Sequence, residues 1–223
     1  MNYILHLETS TKACSVAISC DGKLIAFKES LTDAYAHSES LTLYIQEVMN
    51  SARIEINQLK AVSVTSGPGS YTGLRIGVST AKGLCYALSI PLIAVDSLVS
   101  LATLAKQKYP TQNLCALIDA RRMEVFSAIY DSDLKILKSI SADVLEDENE
   151  YAQYEPFVYF GDGAQKMEEH WKNRYCSIDT EIHASAKGQI SSAFQKFQNA
   201  EFENVAYFEP FYLKDFVSTQ KKA

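Results

Sequence analysis

The 223-residue sequence has no long hydrophobic run. Its most apolar stretch, Leu88 to Val95, is broken by Ser89 and Pro91, whereas a membrane helix needs about 20 consecutive apolar residues. The first residues, Met1-Asn2-Tyr3-Ile4-Leu5-His6, carry neither the basic segment nor the cleavage site of a signal peptide, so the expected location is the cytoplasm. An excess of positive charge is also missing: 21 Lys and Arg against 27 Asp and Glu leave a formal net charge of −6. A chain that grips RNA alone neutralises several phosphates, so any RNA is expected to be held mainly by a partner. The five cysteines are an odd number without a Cys-x-x-Cys pair. Four of them (Cys14, Cys20, Cys85, Cys115) lie in apolar runs and read as reduced core residues. No two of the four histidines show the i, i+4 spacing of a helical metal site, and no Gly-x-Ser-x-Gly is present. Histidine-metal and serine-nucleophile chemistry therefore have no support in the sequence.

What is present is a hydrophobic fraction of 47%, enough for a sizeable core. Residues 3–9, 13–20 and 23–29 read as three strands. Asp21-Gly22 between the last two predicts a type I′ hairpin. Leu41, Tyr44, Ile45, Val48, Met49 and Ala52 fall at helical spacing over about 38–53. A strand at 60–65, a glycine-rich turn, a helix to about Leu88, a strand at 91–95 and a helix at 98–108 follow. The pattern then restarts, with strands at 114–119, 124–130 and 134–141 around a polar turn, Ala120-Arg121-Arg122. Aligning Glu8 with Asp119 sets Ala17 on Ala128 and Ile18 on Ile129. The implied architecture is two facing copies of one α/β unit, residues 1–110 and 111–223. The acidic run Asp143 to Glu150 reads as a solvated connection. A strand at 157–160 and helices at about 164–173 and 185–197 are expected in the second unit, and residues 218–223 are expected to fray.

The segment Gly67-Pro68-Gly69-Ser70-Tyr71-Thr72-Gly73 stands between a strand and a helix, where backbone N–H groups can hold an anion. It lacks the Gly-Lys-Ser/Thr of a P-loop and misses the dinucleotide spacing. A tight strand-to-helix turn and phosphate contact by Gly67 and Gly69 both fit. Gly73, Gly77, Ala81 and Cys85 form a small-residue stripe that suits either internal packing or a subunit interface. Glu8 and Thr9 after the first strand, and Asp119 after its repeat, are placed at strand ends facing the expected cleft. Either turn capping or contact with a phosphate-bound metal suits them.

Several blocks together resemble the bacterial TsaB (YeaZ) family. They are Glu8-Thr9-Ser10 with Ala13-Cys14-Ser15-Val16-Ala17, His37-Ser38-Glu39, Ser66-Gly67-Pro68-Gly69-Ser70-Tyr71-Thr72-Gly73-Leu74-Arg75-Ile76-Gly77, Asp119-Ala120-Arg121-Arg122-Met123-Glu124-Val125-Phe126, and Glu209-Pro210-x-Tyr212-Leu213. The resemblance implies a degenerate actin-like ATPase (ASKHA, ribonuclease H-like) fold with two similar lobes. It also implies a part in threonylcarbamoylation of the adenosine beside the anticodon in tRNAs reading codons that start with A. The partners it implies are a catalytic paralog, TsaD, and an ATPase, TsaE, with tRNA reached only through the complex. Ser97 and Leu101 stand where that paralog has two metal-binding histidines, and neither side chain replaces an imidazole. The expectation is a non-catalytic scaffold without a metal or tightly bound cofactor. Tyr44, Ile45, Val48, Gly73, Gly77 and Ala81 are expected at its interface with the paralog, and the same surface is expected to form a homodimer when the chain is alone. Two alternatives are a nucleotide-using ATPase, with ATP or ADP in the cleft or at the subunit joint, and a metallopeptidase.

Overall fold

The structure is a computed structural model that describes residues 1–31, 37–144 and 151–214. The first sheet contains β1 (Tyr3–Glu8), β2 (Ala13–Cys20), β3 (Lys23–Leu31), β4 (Leu59–Gly67) and β5 (Leu92–Asp96), in the order β3-β2-β1-β4-β5. β1, β2 and β3 are antiparallel neighbours, whereas β4 and β5 run parallel to β1. The second sheet contains β6 (Asn113–Asp119), β7 (Glu124–Tyr130), β8 (Ile136–Val144), β9 (Phe157–Phe160) and β10 (Cys176–Asp179), in the order β10-β9-β6-β7-β8. Its pairings repeat those of the first sheet strand for strand, antiparallel over β6–β7–β8 and parallel over β6–β9–β10. The helices are α1 (His37–Ala52), α2 (Tyr71–Leu88), α3 (Ser97–Lys108), α4 (Glu168–Trp171) and α5 (Ile190–Gln198).

Local chemistry accounts for the joints. Asp21 and Gly22 have φ of 48° and 77°, as the two central positions of a type I′ turn require. Asp96 ends β5 and caps α3, its Oδ1 accepting from the amides of Leu98 at 2.8 Å and Val99 at 3.0 Å. The stripe Leu41, Ile45, Val48 and Met49 lays α1 on Leu5, Leu7, Val16 and Ile18, and α2 adds Val78, Ala81 and Cys85 to the same core. In the second sheet Leu114, Ala116, Ile118, Phe126 and Ala128 pack with Leu98, Leu101 and Ala105 of α3.

Several expectations need correction. The two hairpins are not in the register of the ungapped alignment. Glu8 pairs with Ser15 across residues 9–14, whereas Asp119 pairs with Val125 across 120–124. The second turn is one residue shorter, so the partner of Ala17 in the repeat is Ser127, not Ala128. The amphipathic helix near the end, α5, lies on the first sheet. Ala193, Phe194 and Phe197 cover Ile4, Ala61, Ile93 and Val95, and the segment is stitched down by Gln189, which accepts from Ser63 Oγ at 2.7 Å and donates to Leu7 O at 2.8 Å. A helix expected at 164–173 is a 3-10 turn (Ala164–Met167) followed by the single turn α4. β10 was not anticipated at all. Asp143 is not solvated: it sits in β8 against Lys138. The remainder of that acidic run, 145–150, and the terminal residues 218–223 lie outside the described residues.

Candidate functional site

The residues marked by the sequence for phosphate or metal contact converge on the turn after β1, the turn after β4 and the start of α2. There they serve one another. Glu8 is fully buried, with Oε1 accepting from the Ser10 amide at 2.7 Å. Burial pushes its carboxyl pKa up, against hydrogen bonding from Ser10, which disfavours the charged form that a metal ligand would need. Thr9 is also fully buried and donates through Oγ1 to Gly73 O at 2.8 Å.

The glycines explain themselves by what touches them. A side chain on Gly69 would collide with the Ser10 carbonyl, one on Gly73 with the Thr9 carbonyl, and one on Gly77 with Thr9 Oγ1. On the far side a Cβ at Gly67 would collide with the carbonyl of Phe211, whose amide donates to Ser66 O at 2.7 Å. Gly67 also has φ of 116°, a conformation open to glycine and strained for any other residue. Three amides a phosphate could use are taken internally: Ser70 N donates to Ser10 O at 2.6 Å, Leu74 N to Ser70 O at 2.8 Å and Gly73 N to Ser70 Oγ at 3.3 Å. This segment is a close-packed junction of three chain passages, and the expected cradle of Gly67 and Gly69 is filled by the protein itself.

The repeat of the site is built differently. Asp119 is exposed, and its Oδ1 accepts from the Arg121 amide at 2.6 Å and from Lys166. Beside it Asp162, also exposed, accepts from the Asp119 amide at 3.0 Å. Gly161 and Gly163 donate to Ile182 O at 3.1 Å and Leu117 O at 3.2 Å, so this second glycine pair is also engaged internally. Among the described residues no three His, Cys, Asp or Glu are grouped to hold a metal ion. Ser97 and Leu101 are core residues at the start of α3, where Leu101 packs beside Gly161.

The residues expected at a partner interface are largely interior. Ile45, Val48, Gly73, Gly77 and Ala81 are buried within this chain, and Tyr44 is half-buried with Lys28 5.6 Å above its ring. The small-residue stripe of α2 is therefore an internal packing device facing Thr9. Outward-facing positions on the two helices include Leu43, Ser79, Gly83 and Tyr86, the last 84% exposed. A Cβ at Gly83 would meet nothing within 4 Å.

Sequence reasoning missed the strap that binds these parts. Residues 209–214 run from α2 to the turn after β6. Arg75 stacks 4.1 Å from the Tyr71 ring and 5.9 Å from that of Tyr212, and donates to both hydroxyls. Lys214 at the other end pairs with Glu124. The blocks holding Tyr71, Arg75, Glu124 and Tyr212 had each stood out in the sequence, but nothing linear says that they meet.

Residues 32–222 match the family described as TsaD, tRNA N6-adenosine threonylcarbamoyltransferase. The chain is 35% identical over 130 residues to the tRNA threonylcarbamoyladenosine biosynthesis protein TsaB of Escherichia coli, a match covering 58% of this chain and 55% of that protein. The match thus spans about half the length of that curated relative. A crystal structure from Pseudomonas aeruginosa, of an uncharacterized protein with similarity to the peptidase YeaZ, superposes with a TM-score of 0.83 at 26% identity, covering 96% of this chain and 100% of that one. The (R)-2-hydroxyglutaryl-CoA dehydratase component A of Acidaminococcus fermentans superposes with a TM-score of 0.51 at 10% identity, covering 90% of this chain and 100% of that one. That likeness concerns the fold alone, which is the two-lobed actin-like ATPase type.

Proposed function

Because the chain belongs to the threonylcarbamoyltransferase family, and within it to the TsaB (YeaZ) group, we propose that it is a non-catalytic subunit for threonylcarbamoylation of tRNA. It acts in the cytoplasm by pairing with a TsaD-like catalytic paralog and working with a TsaE-like ATPase. The observation that carries this reading is the self-filled junction: Thr9 and Ser10 pack on Gly69, Gly73 and Gly77, Phe211 packs on Gly67, and Glu8 is buried beneath. The groups that an actin-like ATPase would turn toward nucleotide are here committed to packing. Any ATP or ADP at the subunit joint draws its phosphate donors from elsewhere.

The pairing surface in this reading is the outer side of α1 and α2, with Leu43, Gly83 and Tyr86. A glycine in mid-helix costs about 1 kcal/mol against alanine, and Gly83 has no internal neighbour to require it. Close approach of a partner helix supplies the reason. The same patch can pair with a second copy about a two-fold axis when the chain is alone. Two measurements test the proposal. Transfer of the threonylcarbamoyl group to tRNA, assayed with each protein omitted in turn, should require this chain, and the chain alone should be inactive. Gly83→Arg should leave the chain folded, since the side chain enters open space, and abolish co-elution with the paralog; retained co-elution removes this surface from the proposal.

A further inference from the structure

The turn after β6 spends backbone strain on two arginines. Arg121 and Arg122 have φ of 65° and 51°, the left-handed pair that a tight hairpin takes and that asparagine and glycine adopt with least strain. Arginine has no conformational reason to be at either position. The turn is nevertheless closed by its own hydrogen bonds and braced from outside. Its closing bonds run from Ala120 N to Glu124 O at 3.2 Å and from Glu124 N to Arg121 O at 3.3 Å. Lys166 braces it from below, donating to Arg122 O at 2.8 Å and Glu124 O at 3.1 Å as well as to Asp119.

The charges around the turn are sorted. Asp119 is matched by Lys166 and Glu124 by Lys214. The guanidinium groups of Arg121 and Arg122 are exposed, and among the described residues neither makes a hydrogen bond or an ion pair. Two of the acidic side chains beside them, Asp119 and Glu124, are thus already occupied by lysines. Two adjacent exposed guanidinium groups stand on a braced turn, on a chain whose net charge is −6.

We propose that Arg121 and Arg122 form a phosphodiester-binding tip through which this chain touches the RNA substrate of its assembly. The inference rests on the functional reading above. An arginine fork matches phosphate oxygens in a bidentate way, and one or two such contacts position a nucleic acid without reading its sequence. A pair is too little to hold RNA alone, which agrees with a subunit that meets tRNA only alongside a partner.

The test is the variant Arg121→Asn with Arg122→Gly, because its two effects have opposite signs. Both replacements suit positive φ, so the thermal midpoint of the free chain should hold or rise. Binding of an unmodified tRNA transcript by the full assembly should weaken about tenfold, and the slope of log affinity against log salt should fall by about 1 to 2. Lysine at both positions should restore much of the slope. Unchanged affinity and slope in an assembly that still modifies tRNA overturn the tip and leave the proposed function standing. Loss of co-elution with the paralog or the ATPase, with tRNA affinity per intact assembly unchanged, overturns it in favour of a protein contact. An unsubstituted assembly that neither binds nor modifies tRNA overturns both readings.

Discussion

The turn after β1 and the turn after β6 hold the same place in two sheets of identical strand order, and they have opposite surroundings. The first is sealed: Glu8, Thr9 and Ser10 have no exposed surface, and α2 carries glycines wherever its backbone meets them. The second is open, with Asp119 exposed and two arginines at its apex. Duplication of a fold duplicates the backbone path and leaves side-chain uses free to diverge. In one lobe the turn is mostly packed, with Lys12 its exposed residue, while in the other Asp119 and two arginines are exposed. The rest of the second lobe shows the same freedom, since Ser127 occupies the place of Ala17 and anchors a polar network that the first sheet lacks.

That network should give the largest effect. Lys138 and Asp143 are nearly buried and 3.0 Å apart, with Ser127, Ser141 and Tyr151 around them. Burial opposes the charge on Asp143, but these hydrogen bonds outweigh it and hold its pKa below the usual carboxylate range. Asp143→Ala strands the lysine, and urea unfolding should register a loss of about 3 to 5 kcal/mol. The double replacement Lys138→Met with Asp143→Leu should recover most of it. A depressed folded pKa means that the contribution is present above the unfolded value of about 3.9 and is lost as pH falls below it.

Next in size is the packing of the sealed turn. Gly77→Ala should cost about 1 to 3 kcal/mol through its collision with Thr9 Oγ1, reduced by the roughly 1 kcal/mol that alanine gains in a helix. Thr9→Ala removes the obstructing atom and leaves the next neighbours of that Cβ at 3.4 Å or more. The double variant should therefore be more stable than the sum of the singles predicts. Strict additivity in denaturant titration would mean that the helix shifts and that the glycine has another cause.

The smallest effect lies where the chain returns to the first sheet. His183 Nε2 lies 3.1 Å from Glu29 Oε1 on β3. The hydrogen bond with Glu29 raises the histidine above its ordinary 6.5, against burial. Burial works to raise Glu29, but bonding from His183 and Ser185 and the charge of Lys187 hold it at about 2. A raised histidine stabilises fully below its unfolded pKa and ceases to do so as pH rises through the folded value. His183→Gln should lose about 1 kcal/mol or less at pH 6 and almost nothing at pH 9. A pH-independent loss would show that the contact is not ionic.

Much of the fold could be read from the chain because periodicity and turn chemistry are local. Asp21-Gly22 announced its hairpin, and the stripe of α1 announced its buried face. The register of the repeat was misread because one extra residue in the first turn is invisible to an ungapped alignment of apolar strands. α5 showed its apolar stripe, but a stripe does not name the sheet that covers it. β10, four residues at a sheet edge, is too short for its alternation to register. At the site, the glycines signalled close approach without saying what approaches. Thr9, Ser10 and Phe211 fill that role from positions 59 to 144 residues away, and only the three-dimensional path brings them there.

The central claim is that the first lobe has committed its nucleotide-facing groups to its own packing. Calorimetric titration of the isolated full chain with magnesium and ATP tests it most directly. The account predicts no magnesium-dependent heat at millimolar nucleotide, and the same flat trace for Glu8→Gln, which replaces the buried acid by its near isostere. Tight magnesium-dependent binding that Glu8→Gln abolishes would contradict it, and the turn after β1 would then have to open to admit a phosphate.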